Sequence, residues 1–426
     1  MTLLILFGGF LVLLVLGVPV AFALACASLA AVIHLGMPPL VVVQQTLTGV
    51  ATPSLIAIPL FVFAGELMMR GGISERLIGL ASALVGRIRG GLGQVTVVSS
   101  LFFGGVSGSA IADVSAIGGT MIPQMVKRGF DRDYAVNVTM TAALVALLVP
   151  PSHNLILYSA SAGGSISIAD LFAAGIVPAL LLTAALMATA YVIARRRNYA
   201  VESFPGFAAV GKRFVAALPG LGLVALIFIG IRAGVFTAVE SASVAVLYAL
   251  LVTTLVYRQL KWADFKTTCL HAARTTGTIL FVIAAAASFG WLMAYLQVPS
   301  AAAEFLTSLS SDKNVLLLLM VLVLLVLGTF MDLAPLIIIC TPIFLPVAKA
   351  IGVDPVHFGV ILILKGGLSL ISPPLGSVLF VGTAIGELPV SKALRTIWPF
   401  WLVALGVLML VTFVPALSLW LPAQLR

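Results

Sequence analysis

Apolar runs long enough to cross a bilayer follow one another along most of the chain. They fall at 3–33, 54–69, 133–162, 169–194, 214–231, 235–256, 276–296, 356–385 and 398–421, and roughly 20 apolar residues suffice for a spanning helix. The pattern therefore predicts an all-α polytopic membrane protein with nine spanning helices. Two further apolar stretches, 93–125 and 315–347, are interrupted. Gly104, Gly105 and Gly108 break the first, and Gly328, Asp332 and Pro335 break the second. Each has room for two half-depth helices and a turn, so each is expected to form a re-entrant hairpin. Irregular backbone at membrane depth requires burial in protein or a cavity to line.

The loop charges bear on that expectation. Arg70, Arg76, Arg87 and Arg89 precede the first interrupted stretch, and Lys127, Arg128 and Arg132 follow it. A spanning segment would leave one cluster outside; re-entry puts both in the cytoplasm, as the positive-inside rule asks. The loop from Ala162 to Asp170 has no basic residue, and Arg195, Arg196, Arg197, Lys212 and Arg213 follow on the inner side. Alternation then puts Arg258, Lys261 and Lys266 inside, "SAAAEFLTSLSSDKN" outside, and Lys392 and Arg395 inside. The second hairpin accordingly enters from the outer face. Trp262, Trp291, Trp398 and Trp420 fall near segment ends, where interfacial aromatic belts form.

The chain also repeats itself. Displaced by 223 positions, residues 105–171 lie on 328–394 without a gap, with nine identities in 67 positions. Gly105, Pro123, Gly129, Asp131, Pro150, Pro151 and Gly163 meet Gly328, Pro346, Gly352, Asp354, Pro373, Pro374 and Gly386, and Leu147 and Leu171 meet Leu370 and Leu394. Seven of the nine are Gly, Pro or Asp, the residues that dictate backbone shape. Five spanning segments separate the hairpins, and an odd number inverts the second copy. The expected plan is an inverted repeat. A first half (1–196) holds an inner-face hairpin and the broken helix 133–162. A cytoplasmic loop (197–213) follows, and a second half (214–426) holds an outer-face hairpin and the broken helix 356–385.

Composition agrees and excludes other classes. Of 426 residues, 62% are hydrophobic and 9% charged, against about 25% charged in soluble domains. The mean hydropathy is +1.22. The net charge of +9 reports loop orientation rather than nucleic-acid binding. Cys26, Cys269 and Cys340 lie apart and suggest neither disulfides nor a metal site. The chain has no phosphate-binding P-loop, no HExxH and no GxSxG, and its four histidines are scattered. No cofactor and no enzymatic activity are expected. The N-terminus lacks a basic leader and its apolar run continues, so it reads as a retained first helix.

Each half thus offers a hairpin turn, "GGVSGSAIAD" or "LGTFMDLAP", beside a helix broken by Pro-Pro. Carbonyls at such breaks and C-terminal half-helix ends attract a cation, while half-helix N-termini attract an anion. Gly allows close backbone approach, and Ser or Thr adds oxygen ligands without charge. Twice repeated, this is the pattern of a secondary transporter. Plainer uses remain for single residues. Gly104-x-x-x-Gly108 also suits helix packing, Asp113 and Asp332 also suit helix caps, and His153 also suits freed backbone groups. Glu66 and Glu240 are expected to face protein, without a transport role.

The stretches "GGVSGSAIADVSAIGGTMIPQMVKRGFD", "GVFTAVESASVAVLYAL", "GTFMDLAPLIIICTPIFLP" and "DPVHFGVILI" with "SPPLG" resemble the DctM-type large membrane subunit of tripartite ATP-independent periplasmic (TRAP) transporters. The resemblance runs over essentially the whole chain. It implies an elevator-type permease of the bacterial inner membrane that imports a small organic anion, a carboxylate or acidic sugar. Sodium ions would be the coupling ions. It further implies two partners, a small four-helix membrane subunit and a soluble periplasmic substrate-binding protein. By position, the sodium sites would use Ser107, Gly108 and Ser109 with Pro150, and Gly328 and Thr329 with Ser372 and Pro373. Ser152, His153, Asn154, Lys365 and Gly376 are the substrate candidates. A self-sufficient ion-coupled anion transporter is the alternative, and a channel a more distant one.

The chain departs from the family pattern at two points. "PPSHN" stands where "PPSIP" is expected, and Lys365 and Ser369 replace an asparagine and a glycine. Lys365 lies about ten residues into its helix, hence ~15 Å deep, too deep for its side chain to snorkel to water. Three uses are open: a pair with a carboxylate such as Asp332, a contact with the substrate anion, or replacement of a bound sodium ion. The last is favoured, because the position precedes a cation-binding break.

Overall fold

The structure, a computed structural model, describes residues 1–199, 201, 206–310 and 312–425. Every regular element among them is helical. Seven helices are long and apolar enough to cross a membrane, or nine if each of two bent pairs counts as one span. The chain is a multi-pass membrane protein.

Proline and glycine explain where the spans depart from the apolar runs. The run 3–33 is two helical pieces, a π turn Leu4–Gly8 continuing into Gly9–Val15, and then Val20–His34. Gly17 takes a left-handed φ of +81° and Pro19 has no donor, so one straight helix is excluded. The run 398–421 bends by 58° between Trp398–Phe413 and Ala416–Leu425, beside Pro415. Trp262–Tyr295 starts well ahead of the expected 276, because its first turns carry polar residues. Phe207–Arg232 begins inside the expected loop 197–213; residues 200 and 202–205 of that loop lie outside the described set.

Caps set several helix starts. Thr237 and Glu240 form a reciprocal capping box: the Thr237 N–H donates to Glu240 Oε2 at 2.7 Å, and the Glu240 N–H to Thr237 Oγ1 at 3.2 Å. Glu240 is exposed, which corrects its expected place facing protein. Asp354 Oδ1 accepts from the Val356 N–H at 2.7 Å, and Asp332 Oδ1 from the Leu333 N–H at 3.0 Å. Asp332 is therefore a cap.

The repeat is written in the helix boundaries. Shifted by 223, Ser107, Ala110, Lys127 and Arg132 land on Phe330, Leu333, Ala350 and Pro355, and all eight are helix ends. Gly129 and Gly352 are both left-handed, at φ +83° and +71°, and both Pro-Pro bonds are cis. The first hairpin runs Gly91–Ser107, a two-residue turn, then Ala110–Asp113, the π turn Val114–Gly118 and Gly119–Lys127. The second pairs Lys313–Phe330 with Leu333–Ala350. Lys313 Nζ donates to Gly352 O at 2.8 Å, tying the far ends of that pair together. These arms have 18 residues each, about 27 Å at 1.5 Å per residue, so they are longer than half-depth.

The broken helices are Arg132–Ala142 with a 3-10 turn Ala143–Leu147 and then His153–Ser161, and Pro355–Leu370 with Ser377–Ile385. Each hairpin's first arm packs on its own half's broken helix. Its second arm packs on that helix too and on the post-break helix of the other half. Tyr158 OH, donating to Pro355 O at 2.6 Å, ties the first post-break helix to the start of the second broken helix. Around them, Trp262–Tyr295 lies against Val20–His34, Leu40–Val50 and Ala57–Arg70, Phe207–Arg232 against Ile73–Val85, and Ile168–Arg196 against Trp398–Phe413 and Ala416–Leu425. Within lipid, burying apolar surface gains little, so small residues that let backbones approach carry the packing. Gly49, against Ala287, is such a contact.

Candidate functional site

The first turn exists because Gly108 takes φ +58° and ends Gly91–Ser107, its N–H donating to Gly104 O at 2.9 Å. Ser109, extended, caps the next piece by accepting from the Ala112 N–H at 3.4 Å. The helix opposite breaks because Pro150 and Pro151 have no N–H to donate. Glycine lets turn and break meet. A Cβ on Gly108 would lie 2.6 Å from Pro151 O, and one on Gly105 3.3 Å from Pro150 O. Asn154 Nδ2 donates to Gly108 O at 3.2 Å across the contact.

The structure thus brings together Ser107, Gly108, Ser109, Pro150, Pro151, Ser152 and Asn154. Their oxygens are carbonyls and hydroxyls without net charge, a donor set that attracts a cation. Ser152 Oγ is committed to Leu147 O at 2.7 Å. Ser152 and Asn154, expected to meet substrate, therefore hold the break and the turn in shape. His153 is half-buried beside Gly108. Asp113 is no cap: it is fully buried behind the tip, its Oδ2 accepting from Ser100 Oγ at 2.6 Å.

The second turn and break are more open. Pro150, Pro151 and Ser152 are buried, whereas Pro373, Pro374 and Leu375 are exposed. Thr329 Oγ1 donates to Val326 O at 2.7 Å. Ser372 Oγ donates to Leu368 O at 2.7 Å and accepts from Trp401 Nε1 at 3.2 Å. Gly376 is tightly held, since a Cβ there would lie 2.7 Å from Ser372 O. Ser377 Oγ reaches Asp332 Oδ1 at 3.2 Å, linking the second tip to the post-break helix. Sequence reasoning missed Ser377 and Trp401. The first had a signal, lying just after the break; the second, 29 residues from Ser372, had none.

Lys365 is fully buried. Its Nζ lies against Gly328 and near Ser369, where a Cβ on Gly328 would overlap both side chains. The pair with Asp332 does not form, and among the described residues Nζ has no hydrogen-bond partner.

A cavity of about 250 Å³ lies to one side of the tips, lined by Gly49, Leu157, Ala286, Gly290, Ile338 and Pro342. It sits where the hairpin and broken-helix group meets the other helices. Thr52 and Ser161 add hydroxyls to its otherwise apolar walls. Among the described residues no group of three His, Cys, Asp or Glu is placed to hold a metal.

A multi-pass helical protein with two repeat-related contacts of neutral oxygens, and no cluster for covalent chemistry among its described residues, has the build of a permease. The family model described as tripartite ATP-independent periplasmic transporter, DctM component, matches residues 7–417. The chain belongs to this family of transporter permeases, which are not enzymes. It is 38% identical to the uncharacterized protein YgiK of Salmonella typhimurium, over 98% of this chain and 96% of that one. It is 37% identical to the sialic acid TRAP transporter large permease protein SiaM of Vibrio cholerae, over 97% of each. With the 2,3-diketo-L-gulonate TRAP transporter large permease protein YiaN of Escherichia coli it shares 34% identity over 98% of each chain. The crystal structure of the YdaH transporter of Alcanivorax borkumensis superposes with a TM-score of 0.60 at 15% identity, covering 84% of this chain and 86% of that one, a likeness of fold.

Proposed function

We propose that this chain is the large permease of a tripartite importer in a bacterial inner membrane, moving a small organic anion inward at the expense of a sodium gradient. The observation that carries the reading is the neutral oxygen contact of Ser107, Gly108 and Ser109 with Pro150 and Pro151, which fits sodium. The relatives named for sialic acid and diketogulonate support a carboxylate or acidic sugar as the substrate. The hairpins and broken helices, packed on one another, form the moving body of an elevator, and the helices around Trp262–Tyr295 its scaffold. A small four-helix membrane subunit and a periplasmic binding protein complete the machine.

The test is uptake of labelled organic acids into proteoliposomes. The chain with both partners is expected to accumulate substrate only under an inward sodium gradient and to show saturable counterflow, which a channel does not. Full uptake by the chain alone would favour the self-sufficient alternative.

Sidedness has its own check in a cysteine-free background. Cysteines replacing exposed Arg87 and Lys127, at the two ends of the first hairpin, are expected to resist an impermeant thiol reagent applied from outside. A cysteine at exposed Lys349 is expected to react. Labelling of only one of the first pair would mean that the segment spans.

A further inference from the structure

The two halves have the same backbone at the turn-and-break contact but not the same charge. Gly328 is in the last turn of Lys313–Phe330, and Ser369 in the last turn of Pro355–Leu370. Lys365 Nζ lies against the first and near the second. The last carbonyls of a helix have no further turn to bond, and each C-terminus carries the equivalent of roughly −0.5 charge. Lys365 Nζ thus lies beside residues in the last turns of two helices, where the negative ends of both dipoles favour a cation without any carboxylate. Among the described residues no ion pair involves Lys365, and Asp332 is occupied with Leu333 and Ser377.

In the first half the residues 223 positions earlier are Gly105, Ala142 and Ala146. The helix ends are there, at Ser107 and Leu147, but neither alanine brings charge, so a positive charge has to arrive as an ion. In the second half the chain supplies it. Complete burial also keeps Nζ from an incoming substrate, because Gly328 lies over it.

We infer that the Lys365 ammonium is a built-in cation at the second of two repeat-related cation sites, and that this site takes no sodium. The inference rests on the sodium-coupled reading above and deepens it. Gly328 then packs on a tethered charge, and the second hairpin docks on its broken helix without drawing an ion from the gradient.

The experiment is a sodium titration of uptake by the complete reconstituted complex, wild type and Lys365→Asn. The wild type is expected to be first order in sodium at these two sites. Lys365→Asn is expected to become second order, with several-fold higher half-saturating sodium. An unchanged order in Lys365→Asn overturns the inference, whatever happens to substrate affinity, and so does a second-order wild type. A measurement without transport separates this from failure of the transporter reading. Sodium chloride, against choline chloride, is expected to raise the thermal midpoint of purified Lys365→Ala more than that of the wild type, since an added site stabilises by mass action. Equal shifts overturn the inference even if no substrate is ever found. Should neither variant fold, the order of the wild type decides.

Discussion

Gly108→Ala is expected to lower sodium-driven uptake at least ~100-fold while leaving a protein that still inserts and purifies. Two costs combine. A left-handed φ of +58° costs an L-residue roughly 1–2 kcal/mol. The new Cβ would also lie 2.6 Å from Pro151 O and 3.1 Å from Ser152 Cα. Both are backbone atoms of a buried break and have no rotamer to change. The turn must lift away, taking the Gly108 carbonyl off Asn154 and separating the oxygens proposed to hold sodium. A misplacement of about 1 Å in such a constellation costs on the order of 100-fold. Gly163→Ala is the control. Its φ of +78° imposes the same strain, but an added Cβ meets nothing within 4 Å, so uptake is expected to stay within about threefold of wild type. Equal losses in the two variants would reduce the effect to backbone strain. Little loss in Gly108→Ala would remove the first turn from the site.

What could be read in advance was what backbone chemistry dictates. Gly108, Pro150-Pro151 and Pro373-Pro374 state their conformations almost alone, so hairpins, breaks and repeat were legible without a partner residue in view, whereas Gly104 and Gly105, expected to break the chain, lie inside the helix Gly91–Ser107. The helix ends then fall in register under the same shift of 223. Elements that depend on balance were less legible. In 3–33 the apolar run masked Gly17 and Pro19, although both are plain signals of a bend. Thr237-Ala238-Val239-Glu240 is a capping-box sequence, the signal that puts Glu240 at an exposed helix start. Side-chain destinations were the least legible. Asn154 and Ser152 occupy positions that suit a substrate, and only packing assigns their polar atoms to Gly108 O and Leu147 O. Lys365 lies between the two cases. Its depth required burial, but the tertiary contact of its Nζ with Gly328 selects among its three uses.

Arg197→Ala is expected to destabilise the folded protein by about 2 kcal/mol and to lower its thermal midpoint by several degrees. Arg197 follows Ile168–Arg196 and holds the start of the first broken helix. Its Nη1 donates to Asp131 Oδ2 at 2.8 Å and to Asp133 Oδ1 at 2.9 Å, and its Nη2 to Asp133 Oδ2 at 2.9 Å. Tyr199 OH adds a bond to Asp131 Oδ2 at 2.7 Å and accepts the Asp131 N–H at 3.1 Å. Most surface ion pairs contribute 0–1 kcal/mol, but this one is bidentate and partly desolvated. The Asp133 side chain is 10% exposed and that of Arg197 32%. Removing one partner of a buried pair costs about 3–5 kcal/mol, and the exposure of the guanidinium reduces that here. The loss comes chiefly from the more buried carboxylate, Asp133, left without its partner, so it is expected to be partly recovered in Arg197→Ala with Asp133→Asn, where only the more exposed Asp131 loses its arginine. Arg195→Ala, two residues earlier on an exposed position, is expected to change the midpoint little. Equal midpoints for Arg197→Ala and Arg195→Ala would show that the network adds no stability. A double variant no better than Arg197→Ala would show that the loss lies in the arginine's own packing and not in the stranded charge.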